Sequence, residues 1–155
     1  MQNNQVLKLY KTLGVYKNSS YNIAFDQVGN LATVCDDGKI RLYDVNFNSI
    51  KETIGSGKEP YGICFSPHGN KLAVGYYDTP GIDVLSGKNL KFLYPAQFYG
   101  FYQGVLRNVC FSAVGNYLYG GNSYKKYLYR LICKWSNSGQ GNYSEIVVEG
   151  NGITD

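Results

Sequence analysis

Apolar and polar positions alternate along most of this chain, in short runs separated by Gly-Asn and Asp-Gly turns. Strict alternation places successive side chains on opposite faces of a strand. One such run is Ile23-Ala-Phe25, followed by a polar turn ending in Gly29-Asn30 and a second apolar run, Leu31-Ala32-Thr-Val34. The same succession returns at Ile63-Cys-Phe65 with Gly69-Asn70, and at Val109-Cys-Phe111 with Gly115-Asn116. The turn glycines Gly29, Gly69 and Gly115 are spaced 40 and then 46 residues apart, a period that marks a repeat architecture. Each is expected to hold φ above zero, where a β-carbon is costly.

Within a copy the pattern continues. Asp36-Asp37-Gly38 reads as a hairpin turn leading to Ile40-Arg41-Leu42-Tyr43, and a fourth run covers Ile50 to Ile54. Every unit is therefore expected to be a four-stranded antiparallel meander. No helical periodicity of useful length competes with it.

Three features together resemble the WD-repeat β-propeller family. They are the small-apolar-aromatic first strand, the Ser66-Pro-His-Gly69-Asn70 turn, and Asp36-Asp-Gly-Lys-Ile-Arg-Leu-Tyr-Asp44. Ile82 to Ser86 and Ile132 to Ser136 fill the place of Ile40 to Asp44, and Leu7 to Tyr10 do so for an incomplete unit before them. Asp37 matches the position of the family's structural aspartate. Tyr43 and Leu85 stand where the family has tryptophan, and Trp135 keeps it. The Gly-His pair that normally precedes the first strand is absent, so the family's buried His–Asp–Ser–Trp network is not carried over.

The resemblance implies an all-β partial propeller. The expected divisions are a remnant of a preceding blade at about 1–18, blades at 19–57, 58–104 and 105–149, and the start of a further blade at 150–155. Propellers close with about four to eight blades. Three units plus fragments point to a piece of a longer ring, or to self-association that covers the open blade faces.

Composition changes the picture little. The chain has 155 residues, 16 Tyr, 19 Gly and a net charge of +4. No run approaches the roughly 18 apolar residues of a membrane span, and the Met1-Gln-Asn-Asn start lacks a secretion signal, which favours the cytoplasm. The four cysteines lack CxxC spacing and read as packing residues with free thiols, Cys64 and Cys110 aligning with Ala24. His68, the sole histidine, occupies a turn position held by Val28 and Val114 in the other copies. Asn18-Ser-Ser20 and Asn142-Tyr-Ser144 match the short glycosylation pattern, which needs a secretory route. No cofactor, metal site, catalytic group or specific nucleic-acid surface is expected.

What remains is binding. Tyr94 to Val105 is an aromatic insertion that accounts for the longer repeat interval, and Phe98, Tyr99, Phe101 and Tyr102 are the candidate partner-docking residues. Lys125 and Lys126 would share its face with Asp36, Asp37, Tyr77 and Asp78. Asn137 to Asn142 reads as a flexible loop between strands. The resemblance implies a non-catalytic protein-interaction scaffold. A regulatory module attached to an effector domain, or part of an enzymatic propeller with a central site, are the alternatives.

Overall fold

The computed structural model describes residues 8–14, 16–96, 104–124 and 130–148. They form twelve strands in three four-stranded antiparallel sheets, each in simple sequence order. The first sheet contains β1 (Ser20–Phe25), β2 (Leu31–Cys35), β3 (Lys39–Tyr43) and β4 (Ser49–Ile54). The second contains β5 (Pro60–Phe65), β6 (Lys71–Tyr76), β7 (Ile82–Ser86) and β8 (Phe92–Pro95). The third contains β9 (Gly104–Phe111), β10 (Leu118–Tyr124), β11 (Arg130–Trp135) and β12 (Tyr143–Val148). The expected meander is thus present in all three copies.

The β1–β2, β5–β6 and β9–β10 turns are built alike. Gly29, Gly69 and Gly115 have φ of 92°, 66° and 74°. Each donates its N–H back to the residue three earlier, at 3.2 Å to the Asp26 carbonyl, 2.8 Å to Ser66 and 2.8 Å to Ser112. The repeat in sequence is therefore a repeat in backbone geometry.

Alternation along each strand decides which face meets which neighbour. Ala32, Val34, Ile40 and Leu42 of the first sheet pack on Ile63, Phe65, Leu72, Val74, Tyr76 and Leu85 of the second. The opposite face of the second sheet, with Ala73, Ile82 and Val84, packs on Leu106, Phe111, Leu118, Cys133 and Trp135 of the third. The sheets thus stack as blades in an open row, with β1 against β5 and β5 against β9. Comparing equivalent residues shows the effect of a missing neighbour: Ile63 and Phe65 are 6% and 8% exposed, whereas Ile23 and Phe25 are 56% and 53% exposed.

Close approach of the inner strands depends on Gly62. A β-carbon there would lie 1.9 Å from the Arg107 carbonyl oxygen, a contact that rigid backbone cannot relieve by a rotamer change. Gly62→Ala should therefore force β5 from β9 and cost about 1–3 kcal/mol, the range for overpacked sites. A urea midpoint unchanged from the parent chain would contradict this.

Two details differ from the sequence reading. The described residues 8–14 and 16–19 lie in no strand. The 137–142 connection lies between strands as expected, but it is pinned. Asn137–Gly139 form a single 3-10 turn whose Ser138 donates to the carbonyls of Asn116 (2.9 Å) and Gly115 (2.6 Å). Ser138 also accepts from the Tyr94 hydroxyl of the second sheet at 3.1 Å.

Candidate functional site

Three inner strands start at one end of the stack, where the second strands of their sheets finish. The N–H of Asp36, after β2, bonds the Ser19 carbonyl, and that of Tyr77, after β6, bonds the Glu59 carbonyl, at 3.0 and 2.9 Å. A row of side chains crosses this end. The Tyr21 and Tyr61 rings lie 4.9 Å apart, Tyr61 and Tyr77 are 6.3 Å apart, and the Arg107 guanidinium sits 3.9 Å from the Tyr77 centroid. The row takes in one residue of β1, one of β5, the residue after β6 and one of β9, so it spans all three blades.

Its placement follows from the repeat. Tyr21, Tyr61 and Arg107 each stand eight residues before a turn glycine. Equivalent positions on neighbouring inner strands fall side by side, and the tilted ring pairs are the geometry aromatic pairs favour. The signal was present in the sequence and surfaces only when the copies are aligned on their glycines.

Electrostatics at the row are mixed. The Asp36 carboxylate beside the Tyr21 hydroxyl pushes its pKa above the ordinary value. Asp78 is occupied in shaping the loop, accepting the Lys58 and Glu59 amides at 2.9 and 3.1 Å. Among the described residues Arg107 makes no ion pair, and its buried Nε has no hydrogen-bond partner there. Stacking on Tyr77 stabilises the cation by quadrupole attraction. Tyr21 and Tyr77 are each 42% exposed, so the row presents aromatic area to solvent.

The sequence-derived docking residues Phe98, Tyr99, Phe101, Tyr102, Lys125 and Lys126 lie outside the described residues. The chain leaves β8 at Ala96 and re-enters at Gly104, three residues before Arg107. Asp37 is at the same end, where it serves the fold. It accepts the Lys39 amide at 3.1 Å and binds the Arg41 guanidinium through both oxygens, at 3.1 and 2.5 Å. Its carboxyl is held far below the usual range, chiefly by Arg41.

A polar cluster flanks that pair, and sequence reasoning missed it. The Tyr16 hydroxyl bonds Thr33 Oγ1 at 2.8 Å and the Tyr43 hydroxyl at 2.9 Å, and its ring lies 4.5 Å from the Arg41 guanidinium. Burial, then the Tyr16 bond, raises the Tyr43 hydroxyl above its ordinary pKa. In the second sheet Asp83, almost fully buried, accepts from Ser56 N (2.8 Å), Ser56 Oγ (2.8 Å) and the Tyr76 hydroxyl (2.6 Å). The first two blades thus satisfy their interiors with different residue types, as buried polar groups require.

At the opposite end a cleft of about 330 Å³ opens between the first two sheets, lined by Asp26, Ile50, His68 and Lys88 among others. Asp26 is engaged in its own turn, accepting the Val28 and Asn30 amides at 3.0 and 2.8 Å. His68 is an exposed turn residue, as expected. Among the described residues no three His, Cys, Asp or Glu side chains gather as metal ligands, and no helix is long and apolar enough to cross a membrane.

Stacked four-stranded meanders with their first strands packed side by side define a fold of the propeller-blade class. The family model described as WD domain, G-beta repeat matches residues 8–44, which carry Tyr16, Thr33, Asp37, Arg41 and Tyr43. The match covers the first sheet through β3, and the second and third sheets repeat the fold of the first. No curated protein matches the chain. WD repeats are in general protein-interaction modules.

Proposed function

We propose that this chain is a non-catalytic scaffold that docks a protein partner on the end of the stack carrying Tyr21, Tyr61, Tyr77 and Arg107. The observation that carries the reading is the continuity of that row across three blades. Tyrosine and arginine supply most of the energy at protein interfaces, because they bury large area with few rotatable bonds or with fixed donors. Phe98, Tyr99, Phe101, Tyr102, Lys125 and Lys126 are the further docking residues of this reading, on the strength of their aromatic and basic character. Further blades of a parent chain, or a second copy, are the partners for the open faces. The cytoplasm suits the four free thiols, since reducing conditions keep them so.

The test uses the triple variant Tyr21→Ser, Tyr61→Ser, Tyr77→Ser. These side chains are partly exposed, so the far-UV circular dichroism and the unfolding midpoint should stay near the parent values. Partners retained by the parent chain in affinity capture should fall at least tenfold, about 1.4 kcal/mol. Equal retention by a folded triple variant would move the site elsewhere.

A further inference from the structure

We propose, on the strength of that docking reading, that the partner segment bound at the tyrosine end is acidic, with a carboxylate on Arg107 and its acidic part over the third sheet. Charge is distributed unevenly along the chain. Residues 1–83 carry eight basic and eight acidic side chains and are neutral overall. Residues 84–144 carry seven basic side chains and no Asp or Glu. That stretch supplies β8 to β11, and neither the β8–β9 nor the β10–β11 connection contains an acidic residue. A surface of one sign attracts a partner of the other.

Arg107 is the member of this stretch that joins the aromatic row. Its guanidinium lies 3.9 Å from the Tyr77 centroid, which sets the position of the fork. A fork held in place loses less freedom when it pairs with a carboxylate through two parallel N–H bonds. The side chain is half-buried, so part of it stays open to a partner. Among the described residues it has no ion pair, and its buried Nε has no hydrogen-bond partner. Burying one donor of a cation without an acceptor is costly, and a carboxylate on the rest of the fork offsets that cost. Asp78, which follows Tyr77, does not serve: its carboxylate accepts the Lys58 and Glu59 amides at 2.9 and 3.1 Å.

The other end of the row has the opposite sign. Asp36 and Glu59 each take part in a backbone bond that closes this end of the first or second sheet. Both carboxylates raise the Tyr21 hydroxyl above its ordinary pKa, Asp36 chiefly. They repel a chain of phosphates laid across all three blades. A peptide can instead place its acids over the third sheet and a neutral or basic residue beside Tyr21. The sign change therefore favours a protein segment over a nucleic acid and sets the direction in which it lies.

The experiment pans a phage-displayed random dodecapeptide library on the full chain and measures the recovered peptides by fluorescence anisotropy. These peptides should be enriched in Asp and Glu, a result that needs no variant. Arg107→Gln, with the parent circular dichroism, should weaken them at least tenfold. Arg107→Lys should fall between, because it keeps the charge and loses the fork. Panning on Arg107→Glu should replace the acids with Lys or Arg. Peptides without acids that need Tyr61 but not Arg107 would overturn the acidic partner and leave docking at the tyrosine end intact. Acidic peptides indifferent to both Tyr61→Ser and Arg107→Gln would contradict the acidic site and the docking end together. Displacement of the peptides by a lower concentration of fluorescein-labelled oligouridine would make the partner a nucleic acid and overturn the proposal.

Discussion

Trp135→Ala should destabilise the chain by about 3–5 kcal/mol, the range for removing a large aromatic from a core. The indole is completely buried between the second and third sheets, in the cluster with Ala73, Ile82 and Val84. Tyr143 lies 5.5 Å from it, and Gly120 leaves room for the ring, since a β-carbon there would lie 3.2 Å from an indole carbon. Truncation would open a cavity at the junction that holds two blades together. Trp135 is also the only tryptophan, so the measurement must be circular dichroism against urea. With a slope of about 1–3 kcal/mol per molar urea, the midpoint should fall by more than roughly 1 M. Trp135→Tyr should lose much less, because Tyr43 already fills the equivalent position of the first sheet. A loss below about 1 kcal/mol for Trp135→Ala would mean that the second and third sheets do not pack as described.

Asp37→Ala should cost about 3 kcal/mol, the lower end of the penalty for removing one partner of a buried ion pair. Arg41 stays buried, keeping the Tyr16 ring and only a longer contact of 3.6 Å to Glu52. The double variant Asp37→Ala, Arg41→Met should recover much of the loss, because the stranded charge leaves with the arginine. The pair also has an acid signature. Arg41 holds the folded-state pKa of Asp37 far below the unfolded value of about 3.9. The unfolded chain therefore takes up the proton first as pH falls. The contribution of Asp37 is complete above about pH 5 and is lost progressively below about pH 4. The Asp37→Ala chain should show a shallower fall in stability between neutral and acid pH. A parallel fall in both chains would show that the pair is not formed.

The blades were legible in the sequence because their cause is local. A glycine at positive φ and alternating side chains each act over a few residues, and the repeat states them three times; the aspartate-glycine hairpin of the first copy adds to them. The register of the glycines also holds the tyrosine row, since Tyr21, Tyr61 and Arg107 keep a fixed distance from them. The polar interiors were not legible. Tyr16 reaches Thr33 and Tyr43 from a coil segment 17 and 27 residues away, and nothing in the intervening sequence marks that reach. The second sheet meets the same need with Ser56, Tyr76 and Asp83, so aligning the copies gives different residue types at matching places.

The most direct measurement compares the two ends of the stack by placing a photo-crosslinking amino acid at Tyr61 in one chain and at Val28 in another. Val28 is an exposed residue of the first glycine turn, at the opposite end. Crosslinking from Tyr61 should trap a discrete protein that is lost when Tyr21 and Tyr77 are changed to serine, and Val28 should trap none. Equal products from both positions, or a Tyr61 product indifferent to Tyr21 and Tyr77, would contradict docking on the tyrosine end.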